Sequence, residues 1–311
     1  MTTSRDEVGA AASGPEDDLA GDDRAGDDRA GDDRAGDDRA GDDRPVLARS
    51  VHDGPGPGAP VVVLLHAFPL DRSMWDDVVP LLTGTCRVVA VDLPGLGGSA
   101  VPDVAPDLDV AAVAVLAALD DLGASSAVVA GLSTGGYVAA LLAGRAPERL
   151  LALALLDTTT RLGPPDEAGP RREVAERVLG PEGLDAVMGS VQEGLSERAR
   201  RERPELAERV AATIRGQRPD GVAWVARALA DRRDTTGALR DFPGPVLLLF
   251  GEDDAATPPH RRARELHADR PDADLVVVPG SGHLTALEAP HAVADALLRL
   301  VRSAGAGGSG A

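Results

Sequence analysis

The sequence predicts an α/β protein: a mostly parallel, doubly wound sheet interrupted by an all-helical insertion. Three observations carry this. Apolar runs of strand length recur at residues 61–65, 88–91, 127–130, 150–156, 246–250 and 275–278. They are continuous rather than alternating, as strands covered on both faces require. Helix-length segments such as 110–122, 137–146 and 260–268 fall between them, and strand alternating with helix is the pattern of a parallel sheet. The alternation stops from Thr158 to Thr236, where only helix-like stretches rich in Arg and Glu remain.

Along the chain, Ala20-Gly-Asp-Asp-Arg24 is repeated without interruption to Arg44. A unit with no apolar residue larger than Ala cannot bury a core, so residues 1–45 are expected to form a disordered acidic tail. The paired aspartates lack the ligand ladder of a Ca²⁺ loop. The core is expected over 46–157 and 237–303, the helical cap over 158–236, and a flexible Gly/Ser/Ala tail over 304–311. Residues 46–52 should start the sheet as an antiparallel hairpin element. The insertion holds 14 acidic and 14 basic residues, and its position suggests a cap over the carboxyl ends of the strands, where open α/β sheets bind ligands.

Composition narrows the function classes. The chain has 311 residues, 43% of them hydrophobic but only 2% aromatic, so Ala, Val and Leu must fill the core. The net charge is −19, of which residues 1–45 contribute −9 from 15 acidic and 6 basic side chains. The remaining 36 acidic and 26 basic residues form no run of basic charge suited to nucleic acid. No apolar run reaches the ~18–20 residues of a membrane span. The first residues lack the apolar core of a secretory signal, and the single cysteine, Cys86, is expected to be a buried thiol in a reducing compartment. These features predict a cytoplasmic protein with no membrane or nucleic-acid partner.

The chemistry centres on Gly131-Leu-Ser-Thr-Gly-Gly136, which leaves a strand run and enters a helix run. That context makes Ser133 a candidate nucleophile on a strained strand-to-helix bend. Glycines two residues either side keep side chains out of the bend, and the following helix N-terminus supplies free N–H groups. A serine hydroxyl needs a base, and the base an orienting carboxylate. His283, in the loop Pro279-Gly-Ser-Gly-His-Leu284 after the last strand, is the best-placed histidine, whereas His66 ends a strand and suits a role in shaping its loop. The carboxylate candidates are Asp254 and Asp253, after the penultimate strand, and Asp157, after the strand ending at Leu156; Asp254 heads the set. Trp224 of the insertion can either line a substrate pocket or pack cap against core. Pro94-Gly-Leu-Gly-Gly-Ser99 echoes a dinucleotide fingerprint but has Ala100 where the third glycine belongs.

Over residues 46–303 the chain resembles the α/β-hydrolase superfamily. The resemblance is carried by His66-Ala-Phe-Pro-Leu-Asp71 after the third strand, Asp92-Leu-Pro-Gly-Leu-Gly-Gly-Ser99, the serine elbow, Gly251-Glu-Asp-Asp-Ala-Ala-Thr-Pro258, and Gly280-Ser-Gly-His283 with Leu287-Glu-Ala-Pro290. It implies an α/β-hydrolase fold with catalytic Ser133, Asp254 and His283, and an oxyanion hole from the backbone N–H groups of Phe68 and Thr134. Ala67 stands where the family usually has Gly, and Ala255 where Pro often follows the acid. The resemblance is strongest to 3-oxoadipate enol-lactonases and similar small bacterial esterases. It implies hydrolysis of a small ester or lactone with neither metal nor organic cofactor. Perhydrolase, carbon–carbon hydrolase and acyltransferase activity on the same triad, and a non-catalytic receptor, are the alternatives.

Overall fold

A computed structural model describes residues 46–163, 168–257 and 259–307. The repeat-bearing segment 1–45 and residues 308–311 lie outside these. Among the described residues, seven strands form one sheet: β1 (Arg49–His52), β2 (Val61–Leu65), β3 (Arg87–Val91), β4 (Ala127–Leu132), β5 (Leu150–Leu156), β6 (Val246–Gly251) and β7 (Asp274–Val278). Their order is β1-β3-β2-β4-β5-β6-β7, all parallel except β1, which runs antiparallel to β3. The doubly wound sheet is thus the one the apolar runs call for. β4 and β6 are buried at every position, while the edge strands β1 and β7 carry exposed residues, because an edge has fewer neighbours to cover it.

Three expectations need correction. β1 does not form a hairpin with the next strand; it pairs with β3, from Arg49 opposite Val91 to His52 opposite Val88, so its partner is not its sequence neighbour. The His66 loop leaves the second described strand rather than the third. What puts it beside the serine elbow is that β2 neighbours β4 in the sheet, whatever its ordinal number. The last helix continues through Gly307 instead of ending at 303, because Ala304 still packs against the core.

The helices are α1 (Val79–Leu82), α2 (Leu108–Asp121), α3 (Thr134–Arg145), α4 (Ala168–Leu179), α5 (Gly189–Gly194), α6 (Glu197–Glu202), α7 (Pro204–Arg215), α8 (Pro219–Ala230), α9 (Thr236–Asp241), α10 (Pro259–Asp269), α11 (Thr285–Glu288) and α12 (Pro290–Gly307). α4 to α8 make up the cap. In α7, Leu206, Val210 and Ile214 recur every four residues and are buried, one apolar stripe on an otherwise charged helix. The cap is tied down at several points. α8 meets the core backbone to backbone: a β-carbon on Gly221 would lie 1.7 Å from the Gly95 carbonyl oxygen. Trp224 donates its indole N–H to Val104 O at 3.0 Å, so it clamps cap to core and is not among the residues bordering the cavity beside Ser133. Gln217 accepts from Gly97 N at 2.8 Å and donates to Asp71 at 3.2 Å.

Strands β2 and β3 lead the chain outward on one side, and β4 to β7 on the other. The switch between β2 and β4 opens a crevice at the carboxyl ends of the strands. The loops after β2, β4, β5, β6 and β7 all converge there, and the cap covers it.

Candidate active site

Ser133 sits on the turn between β4 and α3 with φ 55°, a left-handed conformation that a non-glycine residue adopts only at a cost of ~1–3 kcal/mol. The surroundings hold it there. Its N–H donates to Leu156 O at 2.9 Å, and its carbonyl accepts from Tyr137 N at 3.0 Å and from the Thr158 hydroxyl at 2.7 Å. Gly131 and Gly135 are required sterically: a β-carbon on Gly131 would lie 2.1 Å from Gly135 O, and one on Gly135 would lie 2.2 Å from Leu65 O.

Asp254 and His283 come together after β6 and β7. His283 Nδ1 lies 2.9 Å from Asp254 Oδ2, an N–H···O⁻ pair that leaves Nε2 as the ring nitrogen free to accept a proton. Asp254 Oδ1 accepts from Ala256 N at 2.8 Å and Thr257 N at 2.9 Å, and the Thr257 hydroxyl donates to Oδ2. Burial acts to raise the Asp254 pKa, but the hydrogen bond and charge of His283, with the Thr257 donors, outweigh it and hold the carboxyl below 3.8. Burial acts to lower that of His283, but the hydrogen bond and charge of Asp254, with the charges of Asp157 and Glu193, hold the imidazole above its ordinary 6.5.

The two other carboxylate candidates are placed differently. Asp253 is exposed to solvent, with its N–H on Ser281 O at 2.8 Å. Asp157 is buried at the end of β5, accepting from Gly251 N at 2.7 Å and from the Thr285 hydroxyl at 2.5 Å. Burial, then the nearby Asp254 charge, pushes its carboxyl well above the ordinary 3.8. Two acids in one neighbourhood are thereby shifted in opposite directions, Asp254 downward and Asp157 upward.

A cavity of about 300 Å³ is bordered by Ser133, His283, Phe68 and Thr134. Thr134 opens α3, so its N–H is among the first-turn donors with no intrahelical partner. Phe68 enters from the loop after β2, the strand adjoining β4. Ala67 is fully buried and closes a turn through Leu70 N to its carbonyl at 2.9 Å, so its methyl group is accommodated where the resemblance called for glycine. His66 shapes this loop: Nδ1 donates to Ala67 O and Nε2 accepts from Leu93 N, both at 2.9 Å. Burial keeps its pKa below 6.5.

The glycine-rich loop after β3 closes on the protein itself. Gly98 N donates to the buried Asp92 carboxylate at 2.8 Å, and Gly97 N to Gln217. Arg72 adds its backbone N–H at 2.8 Å and its guanidinium to the same Asp92. Among the described residues no group of three or more His, Cys, Asp or Glu side chains could hold a metal ion.

Sequence reasoning gave no role to several residues that build the site. Ala256 N, two residues after Asp254, closes an Asx turn on its carboxylate, and Thr257 adds a second backbone N–H and its hydroxyl, a donor whose Asp-to-Thr spacing was readable. Tyr137 borders the cavity and exchanges two hydrogen bonds with Arg233, its hydroxyl donating to Arg233 O at 2.8 Å and accepting from Arg233 N at 2.9 Å. Glu288, quoted within its motif but unassigned, accepts from Gly282 N at 3.1 Å, Ser196 N at 2.8 Å and the Ser196 hydroxyl at 2.7 Å. One buried carboxylate thereby joins the cap to the residue preceding His283.

A sequence profile described as the alpha/beta hydrolase family matches residues 62–296. A dihydrolipoyllysine-residue acetyltransferase component of an acetoin cleaving system from Pseudomonas putida is 31% identical over 79% of this chain, which spans 65% of that protein. A pimeloyl-[acyl-carrier protein] methyl ester esterase from Neisseria meningitidis serogroup C is 32% identical over 76% of this chain and 91% of its own. A thermophilic esterase from Thermogutta terrifontis, solved with malate bound, superposes with a TM-score of 0.78 at 34% identity, covering 83% of this chain and 93% of the other. The seven-stranded sheet, the capped crevice and these matches place the chain in the alpha/beta hydrolase family.

Proposed function

We propose that the protein hydrolyses a small carboxylic ester or lactone through an acyl-enzyme on Ser133, with His283 as base and Asp254 as its orienting partner. One observation carries this reading. A serine held at φ 55° on a strand-to-helix bend shares a cavity with a histidine hydrogen-bonded at 2.9 Å to a buried aspartate. The esterases among its relatives support the substrate class.

In the proposed cycle, His283 Nε2 takes the Ser133 proton as Oγ bonds to the substrate carbonyl carbon. The carbonyl π pair moves to oxygen, and the N–H groups of Phe68 and Thr134 hold that oxyanion. Its collapse breaks the bond to the alcohol oxygen, which leaves with the proton from His283. Water then attacks the acyl-enzyme, giving its proton to His283. The second oxyanion collapses to free the acid, and Ser133 regains its proton. A lactone follows the same steps and yields one hydroxy acid. The reading places the enzyme in the cytoplasm, supported by a single, buried cysteine. Among the described residues no helix is long and apolar enough to cross a membrane.

A panel of chromogenic esters and enol-lactones tests the proposal. Wild type should turn over at least one class, and Ser133→Ala should reduce it to the uncatalysed rate. Retention of hydrolysis by Ser133→Ala would refute it.

A further inference from the structure

The loop that carries His283 is braced by the cap on both sides of the histidine. Leu284 N donates to Gly194 O of α5 at 2.9 Å. Gly282 N donates to Glu288 Oε1 at 3.1 Å, and the same carboxylate accepts from Ser196 N at 2.8 Å and from the Ser196 hydroxyl at 2.7 Å. Two residues further back, the Arg198 guanidinium of α6 lies against Gly280, where a β-carbon would stand 3.0 Å from its central carbon. The partners keep one register: 194 meets 284, 196 meets 282 and 198 meets 280. The cap segment therefore runs antiparallel alongside the His283 loop. The approach is close, since a β-carbon on Gly282 would stand 2.5 Å from Ser196 N and 2.9 Å from Leu195 C.

Glu288 is the fixed post of this arrangement. It ends α11, whose first residue, Thr285, donates its hydroxyl to Asp157 at the end of β5. Its own carbonyl accepts from Arg203 Nη2 of the cap at 2.9 Å. Ser196 also accepts from Ala199 N at 3.1 Å, which fastens the start of α6 to the same point. Glu288 and Ser196 are both buried, so removing the carboxylate would strand two backbone N–H groups and a hydroxyl away from water. The core holds the loop through Asp253 N on Ser281 O at 2.8 Å, but that bond lies two residues before the histidine. Asp254 fixes one ring nitrogen of His283. The residues on either side of His283 are fixed by Glu288 and the cap.

We propose that Glu288 and Ser196 are positioning residues for the base: they fasten the cap to the His283 loop, so that His283 takes its working place only with the cap seated. This rests on the ester-hydrolase reading of the site. The cap then contributes to the chemical step as well as to the walls of the cavity.

Kinetics and fluorophosphonate labelling of single and double variants decide. Glu288→Ala should lower kcat for a chromogenic ester by about 10²-fold, the cost of a misplacement of about 1 Å, with KM changed by less than about threefold. Ser196→Ala should lower kcat less, since both backbone N–H groups keep their acceptor. Glu288→Gln keeps an acceptor oxygen for those two groups and should recover most of the rate. Trp224→Phe removes a cap anchor that does not involve the His283 loop, and should leave kcat within about threefold. A double-mutant cycle separates positioning from general damage. Glu288→Ala should slow labelling by about 10²-fold in wild type but by less than about twofold in His283→Ala, where no base is left to misplace. Should Glu288→Ala melt below the assay temperature, the same cycle with Ser196→Ala reads the coupling. Equal slowing in both backgrounds, a loss that falls in KM, Glu288→Gln as slow as Glu288→Ala, or an equal loss in Trp224→Phe overturns the positioning role alone. No ester turnover and no label on wild type overturns the ester reading, and this role with it.

Discussion

Replacing Gly135 with alanine tests how the elbow is built. The new β-carbon would stand 2.2 Å from Leu65 O, 2.5 Å from Leu65 C and 2.8 Å from His66 O. Ordinary contacts lie at about 3.5–4.0 Å, so roughly 1 Å of room is missing. The obstacle is backbone on both sides, so no rotamer change relieves it. The first turn of α3 must draw away from the end of β2. Overpacking of this kind costs about 1–3 kcal/mol, and with no flexible neighbour the upper end applies. At roughly 2–4 °C per kcal/mol for a body this size, Tm should fall by about 6–12 °C. The same displacement separates Phe68 on the β2 side from Ser133 and Thr134 on the α3 side. A misplacement of about 1 Å should cost on the order of 10²-fold in kcat/KM. Thermal melts and ester kinetics on Gly135→Ala measure both effects. Gly84→Ala is the control, since a β-carbon there meets nothing within 4 Å. A Gly135→Ala enzyme that melts and turns over like wild type would show that the elbow's packing is not as described.

Two further outcomes are expected. Asp254→Asn should leave the fold intact but lower kcat by about 10⁴-fold, because the imidazole loses its correct tautomer, while Asp157→Asn should cost less than about tenfold. Equal losses in both, measured by steady-state kinetics, would move the orienting acid. The pH profile follows from the raised His283 pKa. Catalysis needs the neutral base, so kcat/KM should be lost as pH falls through a midpoint above 6.5, and residual Asp254→Asn activity should lose its rate at a lower pH. A wild-type midpoint below 6.5 would contradict the Asp254–His283 pairing.

The sheet was legible because parallel strands buried on both faces read as uninterrupted apolar runs, as β4, β5 and β6 do. The placement of Ser133, Asp254 and His283 just after β4, β6 and β7 was legible because each follows an apolar strand run, while their roles belong to the proposal. Other features depend on how distant segments dock. β1 carries no signal that it pairs with β3 rather than β2. Glu288 acquires its role only when Ser196 and Gly282 arrive on either side of it. Trp224 was equally suited to lining or packing until Val104 supplied a partner. In a segment with as many basic as acidic residues, nothing local marks Arg171 and Arg232 as the arginines that face the cavity. The length of α12 turned on Ala304, whose burial comes from the core and not from its Gly- and Ala-rich surroundings.

The central claim is that Ser133 is a nucleophile activated by His283. A fluorophosphonate probe followed by peptide mass spectrometry tests it most directly. Trypsin should release residues 88–145 as one peptide, which also contains Ser99, Ser125 and Ser126, so fragmentation must locate the adduct. The account predicts a single phosphonyl group on Ser133, absent in Ser133→Ala and formed far more slowly in His283→Ala. An unlabelled protein, or an adduct on another residue with hydrolysis surviving in Ser133→Ala, would contradict it.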